Sequence, residues 1–235
     1  MSEQLGAIAV LGGTGNLGYG LARRLALAGR HVIIGSRSAE KAEAAAAEIG
    51  IVVRERNSKG SVRGADNLAA SQAASIVVLT VPFASQADTL QQVKAALQGK
   101  ILVDTTVPLV PPKVMRVQLP AQGSAAKIAQ DIVGEGVRVV TAFHNVAADL
   151  LRSDAELECD VLVFGDSKEA RAEVVTLAET AGMRAFHGGS LENSAAAEAL
   201  TSVLIFMNKQ YSGHTGIRIT GAGKGGNVAA PSKAA

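Results

Sequence analysis

Residues 7–18 read Ala-Ile-Ala-Val-Leu-Gly-Gly-Thr-Gly-Asn-Leu-Gly, and the reading of the chain turns on them. Residues 7–11 are a short apolar run carrying Ile8 and Val10, the pattern of a strand buried on both faces. Gly13, Gly15 and Gly18 follow in G-x-G-x-x-G spacing, and Leu17, Leu21 and Leu25 then recur along one helical face. Each glycine has a task at this spacing. Gly13 permits a tight turn out of the strand, Gly15 leaves the backbone open to a pyrophosphate, and Gly18 lets the helix pack closely on the strand. The unpaired amides and the dipole at the helix start would face that diphosphate. A plain strand–helix turn can also be glycine-rich, but a place between a strand and a helix favours a dinucleotide site.

The second strand, residues 31–34, runs into Gly35-Ser36-Arg37, and this tip selects the dinucleotide. An NAD enzyme carries Asp or Glu there to bind the ribose 2′-hydroxyl. This tip has no acid. Ser36 offers a hydroxyl, Arg37 a fork for a phosphate, and Lys41 follows one helical turn on. A solvated helix start could show the same two cations, yet the missing acid points to the 2′-phosphate of NADP.

Ser38 is a candidate N-cap for an alanine-rich helix reaching about residue 49. Residues 51–53, Ile-Val-Val, read as a third strand and 57–60 as a turn-rich loop, while Asp66 can cap a short helix to 74. A fourth strand over 76–81 ends in Pro82-Phe83, which sets Thr80, Val81, Pro82 and Phe83 beside the cofactor, unless Pro82 only stops the strand. A helix over 85–97 and a strand over 100–104 complete the alternating series. Residues 105–112, Thr-Thr-Val-Pro-Leu-Val-Pro-Pro, then form a stiff loop at a strand's carboxyl end, suited to a flat apolar ring or to plain connection.

A helix over 124–133 leads to a strand over 137–143, tipped by His144-Asn145. His144 could bond a ring carbonyl or a phosphate there, or be structural. A strand over 159–165, a helix over 168–181, a strand over 184–187 and a long helix over 193–210 follow. Ser194, Glu198 and Thr201 form a polar stripe on that helix, which either meets ligand or bonds backbone. The Gly-, Ala- and Lys-rich residues 221–235 show no periodicity and read as a disordered tail. With no internal repeat or linker before it, residues 1–220 read as one domain. Its expected class is α/β: a Rossmann-type, doubly wound, mostly parallel sheet with added C-terminal strands, a long C-terminal helix and an acceptor crevice formed with residues 105–210.

Composition narrows the function classes. The 235 residues are 48% hydrophobic, enough for a folded core, and a net charge of +2 with scattered Lys and Arg makes no case for nucleic acid. Apolar runs stay far below the length of a membrane span, and no signal-peptide pattern opens the chain. Cys159 is the one cysteine, which excludes an intramolecular disulfide and suits a reducing cytoplasm. His31, His144, His187 and His214 lack metal-ligand spacing, and no G-x-S-x-G elbow occurs, so no metal site is expected. Hydride transfer needs neither. The cofactor carries that chemistry, and the protein holds two rings together with water excluded.

With these residues in view, the chain resembles the coenzyme F420-dependent NADP oxidoreductases up to about residue 208. Leu11-Gly-Gly-Thr-Gly-Asn-Leu-Gly18 carries the resemblance together with Gly35-Ser36-Arg37 and Lys41. Val81-Pro82-Phe83, Pro108-Leu109-Val110-Pro111, the strand tip at His144 and the segment from Gly189 to Thr201 support it. The resemblance implies that Thr14, Asn16, Leu17, Ser36, Arg37 and Lys41 bind NADP. It also implies that Val107, Pro108, His144 and Thr201 lie near the deazaflavin, with Asn145 beside them at the strand tip. Reversible hydride transfer between nicotinamide C4 and deazaflavin C5, in a metal-free homodimer, is the implied activity. An NADPH-dependent flavin (FMN or FAD) or imine reductase and a non-enzymatic NADP-sensing module are the alternatives.

Overall fold

β1 (Ile8–Leu11) is buried along its whole length because a parallel strand pairs with it on either side and apolar helix faces cover both sides of the sheet. Around it the computed structural model describes residues 6–222. α1 (Asn16–Leu27) crosses to β2 (His31–Ser36), and α2 (Ala39–Glu55) crosses to β3 (Ser61–Asp66). α3 (Asn67–Ala73) then carries the chain to the other side of β1, where β4 (Ile76–Leu79), α4 (Phe83–Leu97), β5 (Ile101–Asp104), α5 (Ala125–Val133) and β6 (Arg138–Thr141) follow. α6 (Ala148–Leu151), β7 (Asp160–Gly165), α7 (Lys168–Thr180), β8 (Arg184–Gly189) and α8 (Ser194–Tyr211) complete the series.

The eight strands form one sheet in the order β3-β2-β1-β4-β5-β6-β7-β8, parallel except between β6 and β7. The winding reverses between β1 and β4, so a crevice opens at their carboxyl ends. Apolar side chains fill both faces. Leu21, Leu25, Ile49 and Val174 pack on one, and Leu90, Val93, Leu97 and Ala129 on the other. The doubly wound, mostly parallel sheet with its long last helix is the fold the glycine-loop stretch led us to expect.

Local chemistry sets the helix starts. The side chains of Ser38, Asp66 and Ser124 accept from the amides of Lys41 (3.3 Å), Ala69 (2.8 Å) and Lys127 (3.0 Å). One strand assignment is overturned: residues 51–53 are helical, and the third strand is β3. α2 runs on because Ile49 and Val53 continue its buried face at i, i+4 spacing, and one glycine (Gly50) costs a helix only about 1 kcal/mol. β3 escaped notice because it is an edge strand with polar Ser61, Arg63 and Asp66, and Gly64 gives it no branched signature. β4 also stops at Leu79, so Thr80 and Val81 belong to the loop over the crevice. The tail expected to lack order falls, beyond residue 222, outside the described residues. Among the described residues, no helix is long and apolar enough to cross a membrane.

Candidate functional site

The turn after β1 is built by two glycines in succession. Gly12 has φ +78°, and the amides of Gly12 and Gly13 both donate to the Gly35 carbonyl, at 3.0 and 3.2 Å. The left-handed residue is therefore Gly12, one place before the glycine expected to make the turn. A Cβ on Gly13 would strike the Val10 carbonyl oxygen at 2.8 Å, so its glycine is needed for space rather than for φ. A Cβ on Gly18 would meet the Gly12 oxygen at 2.7 Å and Gly13 Cα at 2.8 Å, which confirms close helix–strand packing there. Gly15 differs. Its Cβ would meet only the Gly12 oxygen, at 3.3 Å, so that face of the backbone is open.

α1 starts without a side-chain cap and without an acid in its first turn. Its first main-chain bond runs from the Tyr19 amide to the Gly15 carbonyl, 2.8 Å, leaving the amides of Asn16, Leu17 and Gly18 free of helical partners. That end therefore suits an anion, and the dipole adds about 0.3–1 kcal/mol. A cleft of about 190 Å³ opens beside it, lined by Thr14, Gly15, Ser36, Arg37, Thr80, Val81 and Pro82. Gly12, Asn67, Ser85 and Thr89 also line this cleft; sequence reasoning missed them. The doubled glycine could have flagged Gly12, but Asn67 required knowing where β3 lies. Phe83 sits in the first turn of α4, and Lys41 is exposed on the first turn of α2.

Arg37 is exposed and, like Lys41, forms no ion pair among the described residues. The neighbouring strand tip does hold an acid, Asp66, opposite Ser36; one of its carboxylate oxygens caps α3 by accepting from the Ala69 amide at 2.8 Å. Thr80 is a structural member of the site, its hydroxyl donating to the Leu11 carbonyl at 2.8 Å.

At the carboxyl end of β6, Phe143 adopts φ +67°, a conformation costly for an aromatic residue, and presents His144. The imidazole is 7% exposed, its Nε2 has no partner, and burial pushes its pKa down to about 4. It is neutral at any ordinary pH. Thr201 accepts from Asn145 Nδ2 at 3.1 Å and lies 3.1 Å from the carbonyl oxygens of both His144 and Ala197. Asn145 also donates to Ala197 at 3.0 Å, so its carboxamide ties the β6 tip to α8. His144, Asn145, Thr201, Leu204 and Ile205 line a second cavity of about 180 Å³. Val107 and Pro108, half-buried and buried after β5, do not line that cavity.

The polar stripe of α8 divides by task. Glu198 accepts from the Ala125 and Ala126 amides at 2.7 and 3.2 Å and from Ser194 at 2.8 Å, while Thr141 donates to Ser194 at 3.0 Å. Glu198 therefore holds the first amides of α5 with Ser194 supporting its carboxylate, and of the three only Thr201 reaches the cavity. Asp104, behind the 105–112 loop, accepts from the Thr106 amide at 2.9 Å and from Gln86 at 2.6 Å, and burial pushes its pKa up to about 6.

Residues 7–108 match the family described as NADP oxidoreductase, coenzyme F420-dependent. The chain is 41% identical to the F420-dependent NADP reductase of Methanocaldococcus jannaschii over 219 residues, covering 91% of this chain and 97% of that protein. The F420-dependent NADP reductase of Methanothermobacter marburgensis is 43% identical over 220 residues, with the same shares covered. A solved structure from Arthrobacter sp. FB24, described as a candidate F420-dependent NADP-reductase, superposes with a TM-score of 0.72 at 29% identity, over 87% of this chain and 94% of that one. The glycine loop, the acid-free β2 tip and the His144 cavity thus sit in a chain that belongs to the F420-dependent NADP reductase family.

Proposed function

We propose that this protein is an NADPH:F420 oxidoreductase that moves a hydride reversibly between NADP(H) and the deazaflavin coenzyme F420. The observation that carries the reading is the shared edge of the sheet. The glycine loop after β1 and His144 after β6 both stand at carboxyl ends of parallel strands, one beside an anion-ready helix end and the other in a cavity with an unpartnered neutral imidazole. When bound, the nicotinamide supplies a hydride from C4 and the deazaflavin takes it at C5. The protein's own part is binding, orientation and exclusion of water.

Gly13, Thr14, Gly15, Asn16, Leu17 and Gly18 hold the diphosphate, and Ser36, Arg37 and Lys41 hold the 2′-phosphate. Thr80, Val81, Pro82 and Phe83 border the cofactor. Val107 and Pro108, on the loop after the neighbouring β5, border the acceptor's ring outside the His144 cavity, His144 hydrogen-bonds a polar edge of it through Nε2, and Asn145 and Thr201 fix the imidazole's backbone. No proton-transfer group is required at the reacting carbons. One folded unit carries both sites.

The protein acts in the cytoplasm, where a single cysteine suits the reducing medium, and as a homodimer. α8 supports the dimer. Beside its buried face it presents Ala196, Ala199, Leu200, Val203, Phe206 and Met207 at helical spacing, with Val203 44% and Phe206 52% exposed. A helix apolar on two faces buries both, and antiparallel pairing with a second copy would set its alanine end against its phenylalanine end.

Anaerobic mixing of the protein with NADPH and F420, FMN or FAD in parallel tests the function. Rapid bleaching of F420 is expected. Turnover of FMN or FAD alone would move the protein to the flavin reductases, and NADPH binding without turnover would make it a sensor.

A further inference from the structure

Asn16 stands at the first position of α1, where that helix's free amides begin. Two charged side chains from the α6 segment grip its carboxamide. Nδ2 donates to Asp149 Oδ1 at 3.4 Å, and Oδ1 accepts from Arg152 Nη1 at 2.9 Å. The opposite charges decide which end of the amide is oxygen, because a flip would set N–H against guanidinium and oxygen against carboxylate. One N–H and one lone pair of Asn16 remain for a ligand.

The grip is itself anchored. The Arg152 guanidinium lies 4.5 Å from the centre of the Tyr19 ring, almost one turn further along α1. α6 is held against α1 because Gly20 leaves no room for a Cβ, which would come 3.0 Å from the Leu151 carbonyl carbon and 3.2 Å from the Arg152 nitrogen. Arg24, on the same helix, donates to the carbonyls of Leu151, Ser153 and Ala155 at 3.0, 2.9 and 2.7 Å. With Leu151 buried in the core, these contacts fix where the exposed Asp149 and Arg152 stand relative to the glycine loop.

We propose that Arg152 and Asp149 are positioning residues for the dinucleotide, orienting the Asn16 carboxamide so that its free N–H meets the diphosphate at the α1 N-terminus. Arg152 acts through Asn16 rather than on the phosphates directly. The inference rests on the NADP reading of the glycine loop and is independent of the acceptor's identity.

A double-mutant cycle on NADPH affinity tests it, read by fluorescence titration on the full chain. Arg152→Met is expected to weaken NADPH binding about tenfold, the scale of one charge-supported hydrogen bond, and to raise KM for NADPH with little change in kcat at saturation. Arg152→Lys, which keeps a donor, restores part of the loss, and Asp149→Leu weakens binding in the same direction. In an Asn16→Ala background, Arg152→Met costs nothing further. A full additional loss in that background, or an unchanged affinity in Arg152→Met, overturns the proposal. A wild-type protein that fails to bind NADPH would instead overturn the dinucleotide reading beneath it.

Discussion

In the proposed function, cofactor choice rests on Arg37. It is exposed and free of ion pairs among the described residues, so its charge is available to a phosphate at little desolvation cost. Arg37→Asp should weaken NADPH binding by roughly tenfold or more, as an attraction becomes a repulsion, and should spare NADH. Parallel titrations with the two nucleotides check this; equal losses would show that the tip does not read the 2′-phosphate. His144 works differently, since its contribution is a neutral, unpartnered nitrogen in a closed place. His144→Ala should raise KM for F420 several-fold and leave NADPH affinity unchanged. An unaltered acceptor KM would return the imidazole to a packing role.

The strand–helix element around the glycine loop should join stability to binding, because the space that lets α1 approach β1 also shapes the proposed phosphate cradle. Gly18→Ala forces a methyl against the Gly12 oxygen and Gly13 Cα, so it should cost about 1–3 kcal/mol of stability and weaken NADPH binding together. Urea unfolding and nucleotide titration of the same variant check the pair of effects; a loss of one without the other would separate them. This element was legible in the sequence, since glycine spacing and leucine periodicity are short-range signals. So was the acid-free tip at Ser36 and Arg37. β3 was not, because an edge strand need not be apolar, and its pairing with β2 is what makes it a strand. The loop of the α6 segment onto Asn16 joins residues more than a hundred positions apart, and no spacing rule reaches that far. The division of the α8 stripe between capping α5 and lining the cavity likewise depends on what packs beside the helix.

Across the whole molecule, two buried groups bias stability in opposite directions with pH. His144, pushed down to about 4, takes up its proton in the unfolded chain near 6.5, so its contribution falls as pH drops from about 6.5 to about 4. Asp104, pushed up to about 6, gains its proton in the folded state first, so its contribution rises as pH drops through that value toward the unfolded carboxyl's 3.8. Each is worth about 3 kcal/mol and they nearly offset; Glu198, also raised by burial, adds to the side of Asp104. Asp104→Asn should therefore make urea stability fall more steeply between about pH 6.5 and 4 than that of the parent protein. A parallel pair of profiles would contradict this. The proposed homodimer has its own test: light scattering should give the parent protein the mass of two chains and the Val203→Glu, Phe206→Glu variant that of one; a parent mass of one chain would contradict the dimer, and an unchanged variant mass would contradict the α8 contact. The central claim, that the two crevice sites pass a hydride directly from one ring to the other, is tested by following a label. NADPH carrying deuterium at the transferred C4 position is mixed anaerobically with F420, and the reduced deazaflavin is weighed by mass spectrometry. The account predicts deuterium retained on the deazaflavin, at C5. Reduced deazaflavin carrying hydrogen from the solvent, or no reduction while NADPH remains bound, would contradict it.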